Sequence, residues 1–116
     1  MSQSTQLNMS LQQGATWILS FEWLDDQAAP IDLTGCTAKM HMRQATGAPL
    51  LLELSTENGR ISLAGATGVI ELHVDAASTS LLTTQVGVYD LLVYHPNGQV
   101  DRVIFGSFAL SLAVTK

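Results

Sequence analysis

Three residues of types that bind metals recur at every second position in the second half of the chain. Glu71, His73 and Asp75 lie at i, i+2 and i+4, so all three would project from one face of an extended strand. An imidazole between two carboxylates is a ligand set that a divalent cation can use. Alternation alone also explains the set, because the intervening residues of segment 70–74 are all apolar. We therefore favour a solvent-exposed strand face and predict no metal site.

A cationic row with the same spacing occurs in an earlier segment. Lys39, His41 and Arg43 alternate with apolar residues and would share one strand face. Such a row could bind an anionic ligand, or it could be a solvated face or a rim that pairs with acidic residues of a neighbouring protein. We favour the solvated face or rim. A phosphate-binding loop is excluded, because the turn at Gly65–Gly68 is not followed by Lys-Ser or Lys-Thr.

Nucleophilic or acid–base chemistry has little support in the sequence. Cys36 alternates with Ala38 and Met40 on an apolar face, which predicts an inert core thiol. Asp90 lies in an apolar strand, where it is either a tuned acid or an anchor that accepts backbone N–H groups near Gly106; we favour the anchor. The sequence contains no Cys-His pair, Gly-x-Ser-x-Gly motif or His-x-x-x-His spacing. We predict a protein that is not an enzyme and has no cofactor.

Composition narrows the class of partner. The 116 residues suffice for one domain, 1–116, and the single cysteine precludes an intramolecular disulfide. A net charge of −5 with five scattered basic residues disfavours nucleic-acid binding, and no segment indicates a membrane or a signal peptide. Charged residues make up 13% of the chain, about half the usual fraction. This predicts an uncharged polar surface or a surface buried against a protein partner, and we favour the partner.

Period-two alternation dominates the chain and predicts a series of short strands. In chain order the predicted strands run over 7–14, 17–24, 36–43, 50–54, 60–63 and 69–74, followed by a hairpin in 87–114. Asp75 is the predicted N-cap of one short helical turn. Many short strands with frequent turns indicate an all-β fold. We expect an antiparallel immunoglobulin-like β-sandwich of about 7–9 strands.

The hairpin provides the strongest local signal. Two apolar runs flank the segment 95–99, in which Asn97-Gly98 favours a type I′ turn. With this turn at the tip, Leu91 would oppose Ile104, and Leu92 would oppose Val103. Because successive pairs point to opposite faces of the hairpin, both faces would be largely apolar. One face enters the core and the other needs a protein partner. The predicted interface consists of Tyr89, Leu91, Val93, Arg102 and Ile104, and the alternative face carries Val88, Leu92, Val103 and Phe105.

The order of several turn and strand signatures resembles one family. The signatures are Asp32-Leu-Thr-Gly35, Gly59-Arg-Ile-Ser-Leu63, Gly68-Val-Ile-Glu-Leu72, Gly87-Val-Tyr-Asp-Leu91 and Asn97-Gly-Gln-Val-Asp-Arg-Val103, followed by Gly106 and Val114-Thr115. Over about residues 30–116 the chain resembles small virion proteins of tailed bacteriophages, similar to the N-terminal domains of baseplate and tail-fibre-attachment proteins. The resemblance implies an immunoglobulin-like sandwich and a structural role in tail, baseplate or neck assembly.

The same resemblance implies a location and partners. The chain would belong to the virion and assemble in the bacterial host cytoplasm, as one copy in a symmetric homo-oligomer that contacts other virion proteins. Two other functions remain open: a module that binds carbohydrate or a host surface molecule, which needs an exposed aromatic pair, and a small phage inhibitor of a host protein. Residues 1–5 are predicted to form a loose N-terminal arm.

Overall fold

The computed structural model describes residues 4–115, which form nine strands, one 3-10 turn and one short helix. The strands are β1 (Thr5–Gln6), β2 (Met9–Gln12), β3 (Trp17–Glu22), β4 (Thr37–Arg43), β5 (Leu50–Ser55), β6 (Ile61–Leu63), β7 (Val69–Val74), β8 (Val86–Tyr94) and β9 (Val100–Ser111). The 3-10 turn spans Gly65–Thr67 and the helix α1 spans Ala76–Ser80. The predicted all-β class is confirmed, since strands dominate the chain. Within residues 4–115 no helix is long and apolar enough to cross a membrane.

The strands form two sheets. A six-stranded sheet has the order β1-β9-β8-β4-β5, with β2 also paired to β9. β1 and β2 run parallel to β9 in one continuous register that is interrupted at Leu7 and Asn8, so together they act as a single broken edge strand. The other sheet is antiparallel and has the order β3-β7-β6.

One hydrophobic core combines residues from both sheets. Met40 of β4, Leu91 of β8 and Leu72 of β7 are each 0% exposed. The predicted alternation is confirmed in β4, where Lys39, His41 and Arg43 point outward between buried residues. Alternation works here because successive strand residues point to opposite sides and only one side of each sheet faces the other sheet.

The hairpin of β8 and β9 differs from the predicted register near its tip. The Gly98 N–H donates to the His95 carbonyl at 3.0 Å, so the central turn residues are Pro96 and Asn97. Asn97 does not have the positive φ of a type I′ turn; only Gly98 does, with φ of 93°. The strands therefore meet one residue out of the predicted register, and Tyr94 opposes Val100.

A β-bulge corrects this offset further along the hairpin. Leu92 opposes Arg102 while Leu91 opposes Ile104, so Val103 is the extra residue. The predicted pairing of Leu91 with Ile104 is confirmed, and the predicted pairing of Leu92 with Val103 is wrong. Because the bulge inserts one residue, Val103 and Ile104 are both buried.

The start of the described chain is tied to β9. Thr5 pairs with Ile104, and the Ser4 hydroxyl donates to the Arg102 carbonyl at 2.7 Å. The prediction of a loose arm is therefore wrong for residues 4 and 5, and it falls outside the described residues for 1–3. Sequence reasoning missed this pairing because β1 is short and polar, and its partner lies about 100 positions away.

The predicted N-cap of α1 is confirmed. The Asp75 carboxylate accepts a hydrogen bond from the Ser78 N–H at 3.0 Å. Hydrogen bonds from Ser78 lower the pKa of Asp75 below its ordinary value.

Candidate functional site

A groove of about 500 Å³ lies on the outer face of the six-stranded sheet, and we call it the outer groove. The antiparallel register builds it by placing His41 opposite Asp90, and Asp90 opposite Phe105. Outward-pointing residues of three neighbouring strands thus meet on one surface. Its lining includes Arg43, His41, Val88, Asp90, Arg102, Phe105 and Ser107.

The face that carries the outer groove is cationic although the chain is acidic. It holds Lys39, Arg43 and Arg102, three of the four Lys and Arg residues in the described range 4–115. The carboxylates on this face are Glu53 and Asp90, so Lys and Arg outnumber them in a chain of net charge −5. The charge of this face is therefore opposite in sign to that of the whole chain.

Two of the basic side chains have fixed positions beside the outer groove. The Arg43 guanidinium donates to the Ala48 carbonyl at 2.6 Å, and Nε2 of His41 lies 2.8 Å from a carboxylate oxygen of Glu53. These contacts hold the side chains in defined geometries. The cationic row predicted from the sequence is therefore a positioned rim, with one member paired to an acid of its own chain.

Arg102 stacks on an aromatic ring at the other side of the outer groove. Its guanidinium carbon lies 4.1 Å from the centroid of the half-buried Phe105 ring. The arginine is exposed, so the stacked pair is accessible to a partner. Arginine and aromatic residues are enriched among the residues that dominate protein–protein binding energies.

Four of the five predicted interface residues lie in the core instead of on the surface. Tyr89, Leu91, Val93 and Ile104 are between 0% and 4% exposed, and only Arg102 faces solvent. The alternation identified two apolar hairpin faces but could not say which face packs against the three-stranded sheet. These four residues form the inner face of the sheet, so only Arg102 of the predicted set is open to a partner.

The alternative face points outward, with one exception. Val88, Leu92 and Phe105 are half-buried on the outer side of the sheet, whereas Val103 is buried at the bulge. Leu92 and Phe105 lie beside Arg102, and Val88 lies further along the same sheet face. This surface combines apolar area with a cationic rim, as protein-binding surfaces commonly do.

Asp90 lies on the outer face and not in the core. Among residues 4–115 its carboxylate makes no hydrogen bond that would anchor the backbone near Gly106, so the predicted anchoring role is wrong. Asp90 lies two residues from both Val88 and Leu92 along β8, so its side chain points to the same outer side of the sheet as theirs. The carboxylate instead adds a negative charge to the outer groove.

A second cluster joins Cys36, His95 and Asp101, although the sequence indicated no Cys-His pair. The Cys36 sulfur lies 3.4 Å from Nδ1 of His95, and Nε2 of His95 lies 2.8 Å from an Asp101 carboxylate oxygen. The His95 ring also lies 6.0 Å from the Trp23 ring, measured between centroids. The β4–β8 register pairs Thr37 with Tyr94, so the next pair outward is Cys36 and His95. The hairpin loop alone brings His95 near Asp101, but only the order of the strands brings Cys36 to them.

This order of thiol, imidazole and carboxylate occurs in cysteine nucleophiles that a base activates. Here burial, with a smaller contribution from the charge of Asp32, raises the pKa of the Cys36 thiol. A raised pKa disfavours the thiolate that such chemistry requires. The arrangement therefore supports a structural hydrogen-bond chain that fixes the hairpin tip against the start of β4.

The predicted alternation of the metal-binding residue types is confirmed. Ile70, Leu72 and Val74 are each 0% exposed, while Glu71 and His73 point away from the core. Asp75, the third residue of the set, is the N-cap of α1, where its carboxylate accepts a hydrogen bond from the Ser78 N–H. Within residues 4–115 no group of three His, Cys, Asp or Glu side chains is placed to hold a metal ion.

No protein-family model matches the chain, and no curated protein matches it.

Proposed function

We propose that the chain is a non-enzymatic structural protein that assembles through protein–protein contacts on the outer groove and its surroundings. The observation that carries the proposal is the outward placement of Val88, Leu92 and Phe105 on the sheet face that also holds Arg102. Apolar side chains that lie on an outer sheet face within a charged rim mark an interaction site more often than a plain solvated face does. The low charge content of the chain is consistent with such a buried surface.

The proposed fold family is the immunoglobulin-like sandwich. If β3 to β9 are taken as strands B, C, C′, D, E, F and G, the three-stranded sheet has the order B-E-D. The larger sheet then has the order G-F-C-C′, with the N-terminal strands beside G. This distribution of strands is that of immunoglobulin-type domains. The likeness concerns architecture, since the single cysteine cannot form their inter-sheet disulfide.

The proposed setting is the particle of a tailed bacteriophage. It comes from the order of sequence signatures that resembles small virion proteins. In this setting the chain is a tail, baseplate or neck component that assembles in the bacterial host cytoplasm. Its partners are other virion proteins and further copies of itself in a symmetric oligomer.

Substitution of an outward apolar residue tests the docking surface. In Leu92→Glu a charge enters the centre of the half-buried patch, and we expect association with copies of the chain or with virion proteins to weaken at least tenfold. Leu81→Glu is the matched control, because Leu81 is 82% exposed and lies at the end of α1. Analytical ultracentrifugation and co-purification with virion proteins measure the difference.

Two results would contradict the proposal. One is a strict monomer at high concentration that associates with no virion protein. The other is equal loss of association in Leu92→Glu and Leu81→Glu. Mass spectrometry of purified virions separates a structural component, which is present in the particle, from an inhibitor of a host protein, which is absent.

Sugar binding has no observation in its favour. It needs an exposed aromatic pair, but all four Trp and Tyr side chains are buried or half-buried: Trp17, Trp23, Tyr89 and Tyr94.

A further inference from the structure

β3 is an edge strand, and half of its backbone groups have no partner in the three-stranded sheet. The Trp23 N–H donates to the Gly68 carbonyl at 2.8 Å, and the register extends this alternation along β3, so its odd-numbered residues bond to β7. The even-numbered residues therefore direct their N–H and C=O groups away from the sheet. They are Ile18, Ser20 and Glu22, and none of these groups bonds to another residue in the range 4–115.

The core is incompletely covered next to this edge. Trp17, Leu19 and Phe21 point inward but remain half-buried, unlike the fully buried residues that they oppose on β7. A groove of about 400 Å³ opens between β3 and β1. Leu7 and Leu24, which line it, are 37% and 39% exposed. We call the free edge of β3 together with this groove the β3 seam.

The edge of β5, in contrast, is covered by its own chain. The Glu53 carbonyl accepts hydrogen bonds from the Asn58 side-chain amide and the Arg60 guanidinium, both at 3.0 Å. The Ser55 N–H donates to the Asn58 side chain at 3.0 Å. Proteins commonly protect edge strands from further pairing in this way. The free edge of β3 lacks such a cover and carries one charged residue, Glu22, at its end.

The charge at the β3 seam is negative. Glu22 and Asp26 line the groove, and no Lys or Arg residue lines it. Backbone N–H groups of Ala29 and Gln27 donate to the neighbouring Asp25 and hold the pKa of its carboxyl below the ordinary value, so Asp25 is charged at neutral pH. A basic partner complements this rim, whereas the β3 seam of a second copy would bring a second set of acids.

We propose that the β3 seam binds an extended segment of a different protein by strand addition. The segment pairs with the even-numbered residues of β3 and sets alternate apolar side chains against the half-buried residues beside them. It carries a Lys or Arg that lies next to Glu22 and Asp26. The β3 seam is separate from the outer groove, so this inference stands independently of the proposed function.

Selection from a library of random 12-residue peptides on the full chain tests the proposal. We expect enriched peptides to alternate apolar residues and to contain Lys or Arg. Ser20→Pro removes a backbone donor that faces the free edge, a position where proline is tolerated, and Ser20→Ala is the matched control. Binding should weaken at least tenfold in Ser20→Pro and remain unchanged in Ser20→Ala. Amide exchange at Ile18, Ser20 and Glu22 should slow when the peptide binds.

Several outcomes would overturn the proposal: no enriched peptide, enrichment without alternation or without basic residues, or equal binding by Ser20→Pro and Ser20→Ala. A dimer that Ser20→Pro disperses would show that a second copy occupies the β3 seam and would also overturn it. If Ser20→Pro fails to fold, the double variant Glu22→Lys with Asp26→Lys replaces it and must weaken binding at least tenfold. Leu92→Glu, which tests the outer groove, should leave peptide binding unchanged.

Discussion

Gly106→Ala should detach the N-terminal strands from β9. A Cβ at position 106 would clash with the Leu7 carbonyl oxygen and would lie 2.9 Å from its carbon. Both atoms are backbone, so a side-chain rotation cannot relieve the contact. The chain between β1 and β2 must therefore move away from β9.

Three hydrogen bonds meet at this point and would be lost together. The Tyr89 hydroxyl donates to the Leu7 carbonyl, the Leu7 N–H donates to the Phe105 carbonyl at 2.8 Å, and the Ser107 N–H donates to the Asn8 side chain at 3.2 Å. At about 1 kcal/mol for each bond the loss is about 3 kcal/mol. Gly106 has a φ of 158°, a conformation that alanine rarely adopts, so the substitution adds strain and recovers none of this loss. We expect a decrease of about 3 kcal/mol in the free energy of unfolding, or about 15 °C in Tm.

A double-mutant cycle with Tyr89→Phe makes this reasoning testable. Tyr89→Phe alone removes one buried hydrogen bond and should cost about 1 kcal/mol. Because Gly106→Ala already breaks that bond, the double variant should cost about 3 kcal/mol, and not the additive value of about 4 kcal/mol. Urea denaturation of the four proteins measures the coupling, and hydrogen exchange at the Leu7 amide reports detachment. Additive free energies, or an unchanged exchange rate in Gly106→Ala, would refute the reasoning.

Three further predictions follow from other parts of the fold. Leu91→Ala should lower the free energy of unfolding by about 2–5 kcal/mol in urea, because the side chain is fully buried, whereas Leu81→Ala should change it by less than about 0.5 kcal/mol. Folding lowers the pKa of Asp75, so the charged carboxylate stabilises α1 above the ordinary pKa of 3.8, and this stabilisation is lost as the pH falls through the lower pKa of the folded state. Hydrogen exchange at the Ser78 amide should accelerate over that pH range. Asp75→Asn should remove this pH dependence. Burial raises the pKa of Cys36, so iodoacetamide should alkylate it at pH 8 more slowly than an unstructured cysteine peptide, and faster alkylation would contradict the structural role.

Most of the strands could be predicted from the sequence, and so could the inward faces of several. β7 has the predicted bounds, and the inward faces of β4 and β7 are those that the alternation indicated. The N-cap of α1 was equally accessible to sequence reasoning. These features depend on residues within a few positions of each other, since strand geometry alternates side chains and an aspartate caps the turn that follows it.

The hairpin shows where local reasoning stops. Both faces of the hairpin are largely apolar, and only the position of the three-stranded sheet determines that Leu91 is buried and Leu92 is not. The bulge at Val103 also escaped prediction, because the turn at Pro96-Asn97 changes the register by one residue and the bulge restores it. An error of one residue reverses which side a strand residue faces, so the candidate site could not be read from spacing alone.

The sequence by itself determined the class of the fold, the alternation of the strands and the absence of recognisable catalytic motifs, because these depend on composition and on near neighbours. The tertiary structure alone decided which hairpin face forms the outer groove, that Cys36 meets His95, and that β3 is left as an open edge. Each of these depends on which strands lie side by side. Pairing between distant strands reflects how the whole chain buries its apolar faces, and no local pattern encodes that order.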